Sequence, residues 1–416
     1  MSKRMPEQEA RLSRRVSRRI ALSMSGAGLF SLTARAAGVI SDPGLPDGLG
    51  DAAKLEALPG KHKLLKLTYR PPNFETPLAA FRTPITANDD FFVRYHLADI
   101  PDIDALKTWS LKVGGDAADT AVSFNLDQLK AKFAHVEVTA VCQCSGNRRG
   151  YSEPHVPGVE WGFGAMGNAR WTGVRLKDVL VAAGIKDGAL EVSFNGADGP
   201  VLPATPDFVK SIPIAKALDE NVLIAWAMNG QPLPLLNGFP ARIVVPGWTA
   251  TYWMKHVTEI EIRSKPSDNF WMQKAYRVPK GMFPVALPFA SQEDTGSTPI
   301  TEIVVNTLIT APLAGARVAH GSFDVQGIAW DGGSGIKSVE VSLDGGETWR
   351  QANLGQDLGR FAFRPFSLHV TGLPAGQASI LARATSQGGE TQAEKLKFNP
   401  AGYHNNVPRP VAVTLV

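Results

Sequence analysis

The stretch Val141-Cys142-Gln143-Cys144-Ser145-Gly146-Asn147-Arg148-Arg149 holds both cysteines of a chain of 416 residues. Two cysteines at i and i+2 of an extended segment are poorly placed to bond to each other, because a disulfide needs Cβ atoms roughly 3.5 to 4.5 Å apart. The arginines that follow favour the thiolate form, which is the nucleophile and the metal ligand. We therefore expect at least one cysteine to be chemically active, although a small buried cysteine followed by surface arginines would give the same letters.

Composition limits the class of protein. With 44% hydrophobic and 20% charged residues, the chain is long enough for two or three domains. The formal charge is +4, but the first 36 residues hold eight Lys or Arg and two Asp or Glu, which leaves 35 basic and 37 acidic residues downstream. The basic character thus belongs to the N-terminus, and we expect no nucleic acid partner.

Residues 1–36 have the layout of an export signal. A basic region is followed by the apolar stretch 20–32 and by the small-x-small cleavage pattern Ala34-Arg35-Ala36. Paired arginines in Ser17-Arg18-Arg19-Ile20 indicate the twin-arginine route, although an ordinary secretory signal could carry them by chance. The apolar stretch is too short to span a membrane, so the sequence predicts a periplasmic protein without a membrane span.

The texture of the chain changes twice after the signal. Residues 37–64 are rich in Gly, Pro, Asp and Ala and are predicted to form a loose N-terminal arm. In residues 65–295, strand-like runs alternate with short helices, for which Asn125 is a candidate N-cap and Gly184 a candidate terminator. Residues 296–416 alternate apolar and polar positions between turns. The predicted class is α+β, a mixed α/β domain followed by an immunoglobulin-like antiparallel β-sandwich used for packing or association.

Two further clusters could carry chemistry. If Phe91 to His96 is a strand, Arg94 and His96 project from one face and could line one pocket wall. The loop that ends at Arg242, the run 253–255 and Asp198 could clamp a phosphorylated cofactor, although surface arginines would give the same letters. The sequence has no Gly-x-Gly-x-x-Gly after a predicted strand, and no Walker loop, Gly-x-Ser-x-Gly, His-Glu-x-x-His or Cys-x-x-Cys-His motif.

Four segments together resemble the sulfite oxidase family of molybdenum enzymes over roughly residues 65 to 416. They are Phe92-Val93-Arg94-Tyr95-His96, Cys144-Ser145-Gly146-Asn147-Arg148-Arg149, Met228-Asn229-Gly230-Gln231-Pro232-Leu233-Pro234 and Gly238-Phe239-Pro240-Ala241-Arg242. Their order and spacing match as well. The resemblance implies a molybdopterin-binding domain of sulfite oxidase type, followed by the β-sandwich.

The resemblance also implies a cofactor and its ligands. One molybdenum would be held by one molybdopterin and by the thiolate of Cys144 rather than Cys142, a soft ligand suited to such a metal. Asn237 stands where the vertebrate enzymes have histidine, so one cofactor contact would differ. The residues matched to cofactor binding are Phe92, Val93, Arg94, Tyr95, His96, Asp198, Asn237, Arg242, Trp253, Met254 and Lys255.

The implied reaction is the oxidation of sulfite to sulfate. The residues matched to catalysis are Arg94, His96, Arg149, Trp161 and Tyr276; guanidinium and phenol donors suit a small dianion. A further arginine near the end of the vertebrate chains has no evident match. Because the sequence has no c-type haem motif, the resemblance implies that a separate c-type cytochrome accepts the electrons. We expect either a heterodimer with that cytochrome or a homodimer through the C-terminal domain.

Two alternatives remain open from the sequence. One is a molybdopterin sulfoxide reductase of the same superfamily, but such relatives usually lack the C-terminal β-sandwich, and their pockets are not expected to gather Arg94, Arg149 and Tyr276. A cofactor-free binding module would explain the β-sandwich but not the Cys144 segment. Molybdenum content and sulfite-dependent cytochrome reduction separate the three.

Overall fold

The structure is a computed structural model that describes residues 39–41, 54–281 and 296–416. The predicted export signal, parts of the predicted arm and residues 282–295 lie outside the described residues. Within the described ranges, no helix combines the length and the apolar character needed to cross a membrane.

Strands dominate the described chain. In the N-terminal two thirds they are β1 (Val39–Ser41), β2 (Lys54–Ala57), β3 (Lys63–Thr68), β4 (Asn73–Glu75), β5 (Val93–Arg94), β6 (Leu111–Gly114), β7 (Val122–Phe124), β8 (His135–Gln143), β9 (Met166–Arg175), β10 (Glu191–Gly196), β11 (Lys210–Pro213), β12 (Leu223–Met228), β13 (Gln231–Pro232), β14 (Arg242–Val244), β15 (Val257–Arg263), β16 (Arg277–Pro279) and β17 (Ser297–Pro299). In the C-terminal third they are β18 (Asn306–Ala311), β19 (Arg317–Val318), β20 (Ser322–Trp330), β21 (Ile336–Ser342), β22 (Arg350–Gln351), β23 (Asn353–Leu354), β24 (Arg364–Thr371), β25 (Gly376–Ser386) and β26 (Val411–Leu415).

The α-helices are short, namely α1 (Leu126–Lys132), α2 (Leu176–Ala183), α3 (Ile214–Ala217) and α4 (Phe270–Gln273). Single 3₁₀ turns lie at Leu78–Arg82, Ala105–Thr108, Arg149–Tyr151, Leu235–Asn237 and Ala250–Tyr252. Asn125 caps α1 as predicted, because its side chain accepts a hydrogen bond from the Gln128 amide at 2.8 Å. Gly184 ends α2 with φ of 74°, also as predicted.

Two sheets form the walls of the N-terminal region, residues 54–281. One is antiparallel, with β14 also paired to β12, and has the order β13-β12-β9-β8. The other is mixed, with the order β11-β10-β15-β6-β7 and a parallel pair between β15 and β6. One continuous apolar core joins the two sheets and includes Cys142 and Cys144. The cysteine segment thus begins at the buried end of strand β8 and not in a surface loop.

The C-terminal region forms a two-sheet sandwich with its own core. Its sheets have the orders β18-β20-β24-β23 and β1-β19-β26-β25-β21-β22. All pairs are antiparallel except β19 with β26. The predicted α+β class with a C-terminal β-sandwich is therefore confirmed.

Two sequence expectations need adjustment. Within the segment expected to be a loose arm, β1 pairs with β19, and β2 pairs with β3. The expected strand from Phe91 to His96 was wrong in extent, since β5 covers only Val93 and Arg94 and the chain then bends. This bend carries His96 out of the sheet, so the strand alternation used for the prediction does not explain why His96 faces the site.

Candidate functional site

The cysteine segment turns sharply where β8 ends. Cys142 is still in register with Gly167 of β9, whereas the Cys144 amide bonds to the Ala165 carbonyl at 2.9 Å. The Cys144 carbonyl then accepts from the Asn147 amide at 3.0 Å and closes a turn. Both thiols are free and buried, and both reach the same cavity.

That cavity offers about 50 Å³ to the centres of water-sized molecules, within about 640 Å³ of empty space that includes open solvent. Its wall includes most of the residues predicted to bind a cofactor. These are Phe92, Arg94, Tyr95, His96, Cys144, Asp198, Asn237, Arg242, Trp253, Met254, Lys255 and Tyr276. Residues far apart in the sequence thus come together as the resemblance implies.

Arg94 and His96 meet at the phenol of Tyr276. The Arg94 Nη2 lies 3.3 Å from the Tyr276 oxygen, and the His96 Nε2 makes a short hydrogen bond to the same oxygen. Arg94 is fixed from behind because its Nη1 donates to the Asn73 side chain at 3.1 Å. Arg94 Nε is buried and has no partner among the described residues. The site therefore holds a guanidinium, a phenol and an imidazole in direct contact.

His96 is held as a neutral ring. Phe208 stacks on it with centroids 3.6 Å apart and planes inclined by 10°. Burial lowers the pKa of His96 well below its usual range, and the nearby charges of Arg94, Lys255 and Lys210 lower it further. Arg94 can only donate to the Tyr276 oxygen, whereas the neutral His96 accepts the Tyr276 proton in one ring tautomer and donates its own N–H to that oxygen in the other, which leaves the Tyr276 proton available to a ligand.

Arg242 forms a second buried cationic position. Its guanidinium donates to the carbonyls of Asn237 at 2.9 Å and Trp253 at 3.0 Å, and its Nη2 lies 3.8 Å from the Cys142 sulfur. Arg242 Nε has no partner among the described residues. Burial nevertheless raises the pKa of Cys142 to about 11, with Arg242 opposing the rise. Cys142 is therefore a neutral thiol at physiological pH.

The Asn237 amide is engaged by the protein. Its Nδ2 donates to the Phe92 carbonyl at 3.1 Å, and its oxygen accepts a short hydrogen bond from the Lys61 ammonium. Burial lowers the pKa of Lys61 to about 7. Asn237, at the position of the vertebrate histidine, thus contacts Lys61, which lies just before β3. Lys61 belongs to no motif and was not selected from the sequence.

Lys255 and Asp198 form a third polar part of the wall. Burial raises the pKa of Asp198 to about 6 and lowers that of Lys255 well below its usual range. The Lys255 ammonium lies over the Tyr95 ring, 2.8 Å from its centroid, and the Tyr95 hydroxyl is 2.7 Å from His256. Among the residues that the structure describes, Asp198 alone contributes a carboxylate to the cavity wall. The wall therefore carries more cations than anions, and a bound anion would restore the charge on Lys255.

Three predicted residues lie outside the cavity wall. Val93 is fully buried in a small separate core and faces away from the cavity. Trp161 is fully buried, with an indole nitrogen that has no partner among the described residues. Arg149 lies next to the cavity, where its Nε donates to the Ala401 carbonyl at 2.7 Å and its Nη1 to the Val159 carbonyl at 3.0 Å.

The structure adds residues that the sequence did not single out. Lys210 is fully buried, and its ammonium lies 5.3 Å from the Tyr276 ring centroid and donates to the Trp271 carbonyl at 2.7 Å. Tyr403 stacks on Tyr276, with ring centroids 5.8 Å apart. Neither belongs to a motif, and both reach the site by tertiary packing alone.

Comparisons with known proteins agree with this geometry. The family model described as "Oxidoreductase molybdopterin binding domain" matches residues 96–271, and the "Mo-co oxidoreductase dimerisation domain" matches residues 297–415. Sulfite oxidase of Arabidopsis thaliana is 31% identical over 326 residues, which cover 75% of this chain and 81% of that protein. The chain belongs to the sulfite oxidase family of molybdopterin enzymes. Mitochondrial sulfite oxidase of Homo sapiens is 36% identical over 81% of this chain, which spans 63% of that protein's length.

A solved structure supports the family assignment at the level of the fold. The sulfane dehydrogenase SoxCD from Paracoccus pantotrophus matches with a TM-score of 0.71 and 25% identity, over 88% of this chain and 90% of that chain. The match covers both the N-terminal region and the C-terminal sandwich. Relatives named for different substrates thus share this architecture, and the substrate of this chain is a separate question.

The residues present fit a molybdopterin. Its phosphate needs buried cations, and the wall offers the Arg242 guanidinium with an unpaired Nε and the Lys255 ammonium, opposed by Asp198 alone. Among the described residues, no three His, Cys, Asp or Glu side chains converge as metal ligands. A molybdenum at Cys144 would therefore need its other ligands from outside the side chains described, as a molybdopterin dithiolene would provide.

Proposed function

We propose that this chain is a sulfite dehydrogenase, which oxidises sulfite and water to sulfate with the release of two electrons and two protons. The observation that carries the proposal is the contact of Arg94 and His96 with the Tyr276 phenol beside Cys144. Guanidinium and phenol groups bind oxyanions by strong, charge-assisted hydrogen bonds. A pocket with a surplus of cations attracts a dianion and holds it in one orientation.

Each residue then has a role that its contacts support. Arg94, anchored by Asn73, supplies a fixed cation toward the substrate. Burial raises the pKa of Tyr276, so its phenol stays protonated and can donate to an oxyanion. Neutral His96, clamped against Phe208, is a hydrogen-bond partner of that phenol and keeps its oxygen in place. Arg149 and Trp161, just outside the wall, complete the predicted substrate lining.

We propose one molybdenum and one molybdopterin as the cofactor, with Cys144 as the protein ligand. Arg242, Asp198 and Lys255 would bind its polar end, and Phe92, Trp253 and Met254 would pack against its ring. When bound, this cofactor supplies oxo transfer and stores the two electrons. The protein's own contribution is to position the substrate and to exclude competing ligands.

The sequence is the basis for two further proposals, on the electron acceptor and on the location of the protein. We propose a c-type cytochrome as acceptor, either as a permanent subunit or as a transient partner of a homodimer formed through the C-terminal domain. We also propose export to the periplasm through the twin-arginine signal in residues 1–36. Replacement of Arg18 and Arg19 by lysine should retain the protein in the cytoplasm, and unchanged export of that variant would contradict the route.

The proposal is tested on the purified holoenzyme by metal analysis and by steady-state reduction of ferricytochrome c. Near-stoichiometric molybdenum together with sulfite-dependent cytochrome reduction supports sulfite dehydrogenase. Molybdenum without a response to sulfite favours the sulfoxide reductase alternative, which is then assayed with methionine sulfoxide. Protein that contains no molybdenum when produced with an intact export and cofactor pathway contradicts both and leaves the binding module.

A further inference from the structure

A segment of the C-terminal region packs against the candidate site, behind Tyr276 of the cavity wall. Tyr403, 4% exposed, lies parallel to Tyr276 with ring centroids 5.8 Å apart and planes inclined by 10°. The Arg149 guanidinium lies over the Tyr403 ring, 5.4 Å from its centroid. Tyr403 therefore contacts two of the residues predicted to bind substrate, although it comes from the region assigned to association.

The backbone around Tyr403 is fixed by a dedicated turn. The Asn399 side chain accepts from the Tyr403 amide at 3.0 Å and donates to the Tyr403 carbonyl at 2.8 Å. Gly402 adopts φ of 60°, and a Cβ there would lie 2.8 Å from Arg149 Cγ. Since Ala401 also accepts the hydrogen bond from Arg149 Nε, one short segment holds both the arginine and the tyrosine in place.

Polar groups of this pair are left unused by the protein. Among the described residues, the Tyr403 hydroxyl and the Arg149 Nη2 make no hydrogen bond, although the same arginine uses Nε and Nη1. Two donors without a protein partner thus lie side by side and are available to a ligand that supplies acceptors. Burial raises the pKa of Tyr403 above its usual value, with the nearby thiol of Cys144 adding to the rise, so the hydroxyl remains a donor.

We propose that Tyr403 is a substrate-binding residue, whose hydroxyl donates a hydrogen bond to the same oxyanion that Arg149 and Tyr276 bind. This inference rests on the proposed oxidation of sulfite and specifies its pocket. The C-terminal region then completes the oxyanion site as well as the fold. It also offers a neutral donor near the chain end, where the vertebrate enzymes provide an arginine that this sequence does not match.

The test compares Tyr403→Phe with the wild-type holoenzyme. Phenylalanine keeps the ring stacked on Tyr276 and under Arg149, and it removes only the hydroxyl. Loss of one hydrogen bond to a charged ligand corresponds to about a tenfold weaker affinity. We expect the KM for sulfite to rise about tenfold with kcat little changed, and the Kd for sulfate, measured by calorimetry, to rise by a similar factor. Tyr69→Phe, at a position that is 67% exposed, is the matched control and should change neither value.

The outcomes separate this inference from the proposed function. Unchanged KM and sulfate Kd in Tyr403→Phe, with wild-type melting temperature, overturn the inference. A fall in kcat with both affinities unchanged also overturns it, because the hydroxyl would then act only on the geometry of Tyr276. If the wild-type enzyme does not oxidise sulfite but Tyr403→Phe still weakens sulfate binding, the oxyanion role stands while the assignment of sulfite fails.

Discussion

Neighbouring residues of the cysteine segment have different environments. Both cysteines reach the cavity, but Cys142 contacts the Arg242 guanidinium, and Arg148 is almost completely buried whereas Arg149 is only partly buried. Arg148 bonds to the Asn306 side chain and the Val407 carbonyl by short hydrogen bonds and so ties the segment to the C-terminal region. Two adjacent arginines in one motif are thus expected to differ in function.

This difference gives a paired prediction. Arg149→Gln removes a cation next to Tyr276 and Tyr403 and should raise the KM for sulfite by about 10-fold to 100-fold with a small change in melting temperature. Arg148→Gln breaks the contacts to Asn306 and Val407 and should lower the free energy of unfolding by about 1–3 kcal/mol. Steady-state kinetics and chemical denaturation of both variants provide the measurement. An exchange of the two phenotypes would contradict the assignment.

Local elements were predictable where the signal is local. The N-cap at Asn125, the terminator at Gly184 and the strand that leads into the cysteine segment depend on residues close in sequence. The motif around Cys144 was equally visible because its turn is encoded in Ser-Gly-Asn. Lys210 and Tyr403 could not be predicted, since each is an ordinary residue that reaches Tyr276 only through long-range packing.

Lys210 of β11 carries a prediction on pH. Burial lowers its pKa to about 7 in the folded protein, against 10.5 as the ordinary value. Between these values the unfolded chain binds the proton and the folded chain does not, so the Lys210 contribution to stability improves as pH rises from about 7 to 10.5. Lys210→Met removes this dependence. The difference in the free energy of unfolding between Lys210→Met and the wild type should therefore decrease as the pH rises, by up to about 1.4 kcal/mol per pH unit.

The control for this experiment is Lys112→Met, at an exposed position of β6. The free energies of unfolding of the wild type and both variants are compared at pH 7 and pH 9 by chemical denaturation. A difference between wild type and Lys210→Met that does not depend on pH would mean that Lys210 keeps its ordinary pKa.

At the scale of the whole molecule, the two regions share a core. Val141 and Met166, next to the cysteine segment, pack with Trp330 and Phe363 of the sandwich in one apolar cluster. The Trp330 indole donates to the Gln143 side chain at 2.6 Å, and the Val141 amide donates to the Phe361 carbonyl at 2.9 Å. The C-terminal end of β8 therefore depends on the sandwich, and we expect the described regions to unfold together.

Phe363 tests this coupling. It is fully buried and packs edge-on against Phe81, 5.9 Å between centroids, and against Trp330 at 5.5 Å. Phe363→Ala should lower the free energy of unfolding by about 3–5 kcal/mol in a single transition. Phe398→Ala, at a position 43% exposed, should have a much smaller effect. A separate early transition of the sandwich in calorimetry would show that the regions are independent.

The central claim is that Cys144, and not Cys142, is the reactive thiolate of an enzyme that oxidises sulfite. The most direct test is the rate of sulfite-dependent ferricytochrome c reduction by wild type, Cys144→Ser and Cys142→Ser, each with its melting temperature. The account predicts that Cys144→Ser loses at least about 100-fold in turnover, while Cys142→Ser retains most of it. Sulfite oxidation that survives in Cys144→Ser, or that is lost in a folded Cys142→Ser, would contradict it.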